Sequence, residues 1–370
     1  MNRRKFITMA SAATGASLLS GTAVAADDTA ADTLPAQVRH TLDQALAAGS
    51  PSAVCGVIRG GRTYVAGAAG KGKRTPDGRT VFQLGSIGKT LTATALALAV
   101  GAGETRLDAP LTLPARFPIP RQGPRRITLA DLATHSSGLP RLPRGVLDAT
   151  NPYDPYAHYT LDDLAADLGE TTLAHAPGEK YAYSNLGFGL LGQALAFDRV
   201  DEMLRHRVAA PLGMTDTTTT LRPDMLLRKS LGHMQGQLVP DWRDSVLSAA
   251  GTSLYSTAND MLRFLAAQLR PERSPLRDAI ELTQRPRFDA AEGLRIGLAW
   301  NLSPLSGGRT MTWHNGSTGG FSTCAAFDRE RGTAVVMMVN TWSQETETKP
   351  RPVDALTIDL LRELDAAAPA

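Results

Sequence analysis

The 370-residue chain has two cysteines, no closely spaced histidines, no long run of one charge and, after its first 25 residues, no apolar stretch long enough to cross a membrane. Two cysteines cannot supply the disulfide framework that staples small secreted scaffolds together. Cys55 and Cys324 each sit in a short apolar run, "AVCGVI" and "FSTCAAF", that reads as a buried strand. Buried cysteine packs as a small hydrophobe, so both are expected as free thiols. No two of the seven histidines lie closer than 17 residues, so neither H-x-H nor H-E-x-x-H occurs and a helix-borne zinc site has no basis. A membrane span needs about 18 apolar residues.

Lys and Arg number 39 against 36 Asp and Glu, a formal net charge of +3. Arg3, Arg4 and Lys5 supply three positive charges and residues 1–25 contain no acid, so the rest of the chain is neutral (3 − 3 = 0). A neutral chain without basic runs has no electrostatic footprint for nucleic acid, and none is expected as a partner.

The first residues depart from this plainness. Arg3, Arg4 and Phe6 precede a weakly apolar run that ends in Ala23-Val24-Ala25, ahead of the first acid at Asp27. Residues 1–25 therefore read as a cleavable signal peptide of twin-arginine type, the kind that exports folded proteins. The expectation is an exported protein, periplasmic or secreted, with no stable membrane span after signal cleavage.

At 42% hydrophobic residues the chain can bury a large core or two. From Ser52 two β-like runs flank Gly60-Gly61 and read as a hairpin opening the fold. "SIGKTLTATALALAV", residues 86–100, is apolar on nearly every side and reads as a buried central helix. Residues from about 105 to 290 are broken by prolines and carry helical patterns such as "TLDDLAADL" and "LGFGLLGQALAF". β character returns after Gly293, and "PVDALTIDLLREL" closes the chain as an amphipathic helix. The organisation predicted is α+β: a sheet domain from residues 26–105 and 291–370, split by a mainly helical domain at 106–290.

"QLGSIGKTLTA", residues 83–93, admits two chemistries. "GKT" completes the second half of a phosphate-binding loop, but the glycine required five residues before Gly88 is Gln83, and no βαβ alternation follows. The alternative places Ser86 and Lys89 on one face of a helix start, a hydroxyl beside an amine able to take its proton. Lysine's ordinary pKa of about 10.4 must fall by roughly 3 for that task, a cost on the order of 4 kcal/mol that a strongly apolar helix can impose. The bland reading is a helix-start serine with a snorkelling lysine, so companions decide. One is Tyr183-Ser184-Asn185, where a phenol near an ammonium can pass a proton. Another is His314-Asn315-Gly316, where glycine lets a substrate strand approach a sheet edge.

The order of these three motifs, with 97 residues from Ser86 to Tyr183 and 131 from there to His314, resembles the penicillin-recognising serine enzymes of class C β-lactamase type. That family includes D-alanyl-D-alanine carboxypeptidases and related esterases. "DLATHSSGLP", "PGEKYAYSNLGFGLLG", "PLGMTDT" and "LSAAGTSLYSTANDMLRFL" are similar to it as well, so the resemblance spans roughly residues 36 to 345. It implies a β-lactamase/transpeptidase-like fold, an antiparallel sheet flanked by helices with an inserted all-α domain. It implies catalytic roles for Ser86 as nucleophile, Lys89 as proton acceptor and Tyr183 as acid/base. Asn185, His314 and Gly316 would contact substrate, and the backbone N–H groups of Ser86 and Ser317 would form an oxyanion hole. Leu132 to Pro140 would be supporting structure. Many members have Lys-Thr-Gly where this chain has His314-Asn315-Gly316, and replacing a permanent cation by histidine weighs against efficient β-lactam turnover.

G-x-S-x-G does not occur, which removes the α/β-hydrolase alternative. The resemblance implies an acyl-enzyme hydrolase without metal or cofactor. Its substrates are ordered as peptidoglycan stem peptide first, β-lactam second and small ester third. Outside catalysis stand a penicillin-binding sensor that acylates once, and a nucleotide-binding protein.

Overall fold

A computed structural model of the chain describes residues 29–343 and 351–366, so the signal-peptide expectation at 1–25 lies outside the described residues. The first described element is a helix, α1 (Thr29–Ala47), not the strand the sequence suggested; Pro35 inside it obscured the pattern. The hairpin follows as β1 (Ser52–Arg59) and β2 (Arg62–Ala69), with Arg59 opposite Arg62. Gly60 and Gly61 turn it with φ of +56° and +75°, the left-handed pair that matches strand twist. A short strand β3 (Val81–Gln83) leads through a tight turn into α2 (Gly88–Gly101).

The regular structure of residues 102–287 is mostly helix set among long turns and loops, with α3 (Leu129–Ala133), α4 (Leu161–Glu170), α5 (Asn185–Leu195), α6 (Ala258–Leu269) and α7 (Arg277–Gln284) as its principal described helices. Thr128 with Asp131 and Thr160 with Asp163 close reciprocal capping boxes at α3 and α4, satisfying the first free N–H groups of each helix. Strands also occur here, chiefly β4 (Tyr255–Thr257), which pairs with β3.

The sheet is then completed by β5 (Phe288–Ala291), β6 (Leu294–Ile296), β7 (Asn301–Pro304), β8 (Thr310–Ser317), β9 (Ser322–Asp328) and β10 (Thr333–Val339). Its order is β2-β1-β10-β9-β8-β7-β6-β5, antiparallel throughout. The closing helix is α8 (Pro352–Ala366).

Period-2 alternation divides β1 between two cores. Cys55 and Val57 pack with Val38 and Leu42 of α1 and with Leu360 and Leu361 of α8. Val54 and Ile58 point the other way, toward Met261, Leu262 and Leu265 of α6. A third core lies under the helical segment, joining Leu132, Leu164, Phe188 and Leu190. Helix α2 serves two cores at once, Leu91 and Ala95 facing the sheet and Ala93, Leu96 and Ala97 facing the helices. That shared position explains why its sequence is apolar all round.

Cys55 and Cys324 are both free. They flank Met337 from opposite sides, on β1 and β9. Two strand spacings make about 10 Å, beyond the roughly 7 Å a disulfide can bridge.

Candidate active site

Ser86 lies in the turn Gly85–Ile87, half-buried, between β3 and α2. Two close approaches put it there. A Cβ on Gly85, whose φ is +59°, would stand 2.3 Å from the Ser317 nitrogen, and one on Gly316 would stand 1.9 Å from the Leu84 oxygen and 2.9 Å from the Ser86 nitrogen. Only glycine at both positions lets the Ser86 turn press its backbone against β8. The main-chain nitrogens of Ser86 and Ser317 therefore belong to segments in direct contact. β7 pairs with β8 only through Thr310–Trp313. His314–Ser317 thus runs past the end of β7, with the Ser86 turn beside it.

Lys89, the second residue of α2 and one turn beyond Ser86, is completely buried. Its Nζ donates to Ser86 Oγ at 2.9 Å, Asn185 Oδ1 at 2.8 Å and the Ala250 carbonyl at 2.8 Å. Burial, reinforced by the nearby Arg141 charge, holds its pKa well below the ordinary amine range. Neutral, the amine keeps two donors and gains a lone pair directed among the same three neighbours, which is what accepting the Ser86 proton requires.

Tyr183 donates its hydroxyl to Ser86 Oγ at 2.5 Å, and Lys89 Nζ sits 4.8 Å from its ring centre. The strand-like segment before α5 holds it. Ser184 caps that helix, accepting the Gly187 N–H at 2.8 Å while its hydroxyl donates to Pro140. His135 grips both neighbours of Tyr183: its carbonyl accepts the Ala182 N–H at 2.7 Å and its Nδ1 accepts the Ser184 N–H at 3.0 Å. The His135 ring also lies against the Tyr183 ring, centroids 4.3 Å apart. Accepting at Nδ1 requires the neutral ring, and burial with the Lys89 field drives the His135 pKa well below its usual value. His135 adopts φ of +59°, a left-handed conformation unusual outside glycine.

His314 is 2% exposed and its Nδ1 donates to the Asn315 carbonyl at 2.6 Å. Burial first, then Lys89, lowers its pKa to about 3, so it is uncharged near neutrality. Asn315 turns away to donate to Asp354 at 2.7 Å. Gln83, the residue that broke the phosphate-loop pattern, is buried in β3 and exchanges hydrogen bonds with the Trp242 backbone.

The structure thus gathers Ser86, Lys89, Tyr183 and Asn185 into one hydrogen-bonded cluster and sets Gly316 and Ser317 beside it, with His314 buried behind. Sequence reasoning missed the Ala250 carbonyl and Tyr156, whose hydroxyl accepts from Asn185 at 3.4 Å. It placed His135 only within supporting structure. The unusual His-Ser-Ser-Gly turn after α3 was the one available signal. No group of three metal-ligating side chains is assembled among the described residues.

The profile of the Beta-lactamase family matches residues 38–358. D-alanyl-D-alanine-carboxypeptidase/endopeptidase AmpH of Escherichia coli (strain K12) is 29% identical over 279 residues, 70% of this chain and 71% of that protein. A Beta-lactamase of the same strain is 27% identical over 345 residues, 82% of this chain and 87% of that protein. Among solved structures, a Beta-lactamase/D-alanine Carboxypeptidase from Yersinia pestis complexed with citrate superposes with a TM-score of 0.77 at 23% identity, over 92% of this chain and 99% of that one. That likeness shows the fold.

Proposed function

Since the chain belongs to the Beta-lactamase family of serine hydrolases, we propose that it is an exported D-alanyl-D-alanine carboxypeptidase/endopeptidase-like enzyme acting on peptidoglycan peptides through an acyl-enzyme on Ser86. The observation that carries this reading is the fully buried Lys89 amine hydrogen-bonded to Ser86 Oγ, with the Tyr183 hydroxyl on the same oxygen. The ordering of substrates rests on two supports. The relative named for carboxypeptidase/endopeptidase activity aligns over most of both chains. In addition, His314 beside the nucleophile is neutral, and β8 ends in a segment beyond β7 that suits an extended peptide.

In the forward half-reaction Ser86 Oγ attacks the scissile carbonyl and its proton passes to the neutral Lys89 Nζ. The oxyanion is held by the N–H groups of Ser86 and Ser317, each such donor being worth about 3 to 4 kcal/mol in the transition state. Tyr183 gives its proton to the leaving amine and recovers one from Lys89, leaving an ester on Ser86 and a free amine product. Water reverses the sequence: it loses a proton to Tyr183 as Tyr183 passes its own to Lys89, and Lys89 returns that proton to Ser86 Oγ as the ester bond breaks and the acid product leaves. Asn185 shares the Lys89 ammonium and orients the substrate amide; His314 and Gly316 shape the strand edge. With the sheet domain taken as residues 26–105 and 291–370 and the helical one as 106–290, Ser86 and Lys89 come from the first, Tyr183 and Asn185 from the second. Residues 1–25 direct export, and no helix of the described residues is long and apolar enough to cross a membrane.

The test is intact mass of the chain lacking residues 1–25, wild type and Ser86→Ala, after adding a penicillin, together with release of D-alanine from an acyl-D-alanyl-D-alanine peptide. A persistent penicillin adduct on wild type alone, with D-alanine release, is the expected result. An adduct that vanishes as hydrolysed penicillin accumulates makes it a β-lactamase. Ester cleavage by Ser86→Ala at the wild-type rate sinks the assignment.

A further inference from the structure

Arg141 has no part in the steps above, yet the fold anchors it at the centre of the site. Its carbonyl accepts the N–H of Asn185 at 2.9 Å and of Leu186 at 3.3 Å, and the Ser184 hydroxyl donates to the preceding carbonyl of Pro140 at 2.6 Å. The segment that carries Arg141 is thus tied to the first turn of α5, the same turn that sets Tyr183 and Asn185. Its guanidinium carbon lies 4.9 Å from the centre of the Tyr183 ring, whose hydroxyl reaches Ser86.

The other positive groups here are unavailable to a ligand. Lys89 is fully buried and its three directions go to protein acceptors. His314 is buried and uncharged. Arg141 is exposed, and among the described residues no carboxylate lies within salt-bridge distance of it. Arg125 and Arg243, by contrast, pair with Asp131 and Asp154 at 2.9 Å. The field of Arg141 reaches inward, since it contributes to lowering the pKa of both Lys89 and His135.

We propose that Arg141 is a substrate-binding residue that takes a free carboxylate on the leaving side of the scissile bond. One extended residue spans about 3.5 Å, so a carboxylate one residue beyond a carbonyl on Ser86 falls within reach of a guanidinium seated over Tyr183. The planar fork of arginine matches a carboxylate with two parallel hydrogen bonds. Placed there, the enzyme prefers substrates ending in a free carboxylate, and gains that preference without a cation on β8. The proposal rests on acyl transfer at Ser86 and adds the charge of the leaving group to it.

The test compares kcat/KM for two peptide substrates that differ only in whether the terminal carboxylate is free or methyl-esterified, for wild type, Arg141→Gln and Arg141→Lys. The wild type favours the free carboxylate. In Arg141→Gln that ratio falls on the order of 10- to 100-fold, the scale of losing a charged hydrogen-bond partner, chiefly through KM. Arg141→Lys keeps the charge without the fork and falls between. A wild-type ratio near one overturns the proposal. So does a fall of both substrates together in Arg141→Gln, which would make Arg141 a brace for Tyr183. If wild type cleaves neither peptide but hydrolyses aryl esters through Ser86, the peptidase reading fails. A carboxylate-bearing aryl ester and its methyl-capped twin then decide Arg141 by the same ratio.

Discussion

Lys89 and Cys55 are both completely buried, one where the Ser86 turn meets the end of β8 and the other in the middle of β1. Burial disfavours the charged form of each, with opposite chemical results. The amine is pushed down, well below its usual range, toward the form that can accept a proton. The thiol is pushed up to about 12 and is silenced; Cys324 follows it, well above its usual value. What differs is the surroundings. Lys89 is ringed by a hydroxyl, an amide and a main-chain carbonyl drawn from three separate stretches of chain. Cys55 sits among Val, Met and Leu side chains in a ladder whose backbone groups are already paired. Desolvation is common to both regions, and reactivity appears only where loose ends of elements leave polar partners behind.

The sharpest way to break this contrast is Lys89→Met, which keeps the length and removes the base. Acylation of Ser86 by a penicillin, followed by stopped-flow or mass, is expected to slow by roughly 10²- to 10⁴-fold. In the wild type the working form is the neutral amine, so the rate falls as pH drops through the lowered Lys89 pKa. His314, held near about 3, adds no step between about pH 5 and 8. An acylation rate in Lys89→Met within a few-fold of wild type would refute the base assignment.

A smaller effect is expected one layer out. His135→Ala frees both sides of Tyr183 and is predicted to cost about 10- to 100-fold in kcat with little change in KM, the scale of a slight misplacement of a reacting group. His135→Asn supplies a short acceptor for the Ser184 N–H, tolerates the left-handed backbone and should recover part of the loss. Equal rates for the two variants would remove His135 from the positioning of Tyr183.

The smallest effect tests the quiet region. Cys55→Ser leaves a buried hydroxyl among apolar side chains, so stability by denaturant titration should drop about 1–3 kcal/mol with turnover unaltered. Iodoacetamide should modify neither thiol in the folded protein and both after unfolding. Rapid labelling of the native chain would contradict the packing of β1 and β9.

Much of this frame was readable in the residues. Gly60-Gly61 marked the hairpin, and the apolar runs at 52–58, 322–327 and 333–339 became the central strands. The all-round apolar pattern of 86–100 announced a helix shared by two cores. Helix α1 was not seen, because Pro35 interrupts it. The pairing of β3 with β4 joins residues 176 apart, Val81 with Thr257, and no local pattern encodes it. The Ser-x-x-Lys spacing named two members of the site, and the Tyr-Ser-Asn motif two more. The Ala250 carbonyl had no code to read, since every residue carries the same main-chain acceptor. His135 was visible as a letter and not as a contact.

The sequence by itself set the local terms: which face each strand residue takes, where α3, α4 and α5 are capped, and that Ser86 and Lys89 share a helical turn. Tertiary structure alone decided that the Lys89 pKa is pushed down by burial, that His314 is buried within β8 and uncharged near neutrality, that Cys55 and Cys324 are separated by a strand, and that Arg141 is the exposed cation over Tyr183. Spacing along a chain fixes direction within one or two turns, whereas solvent exclusion is the joint work of segments far apart in sequence. Protonation state and charge at the site follow the second.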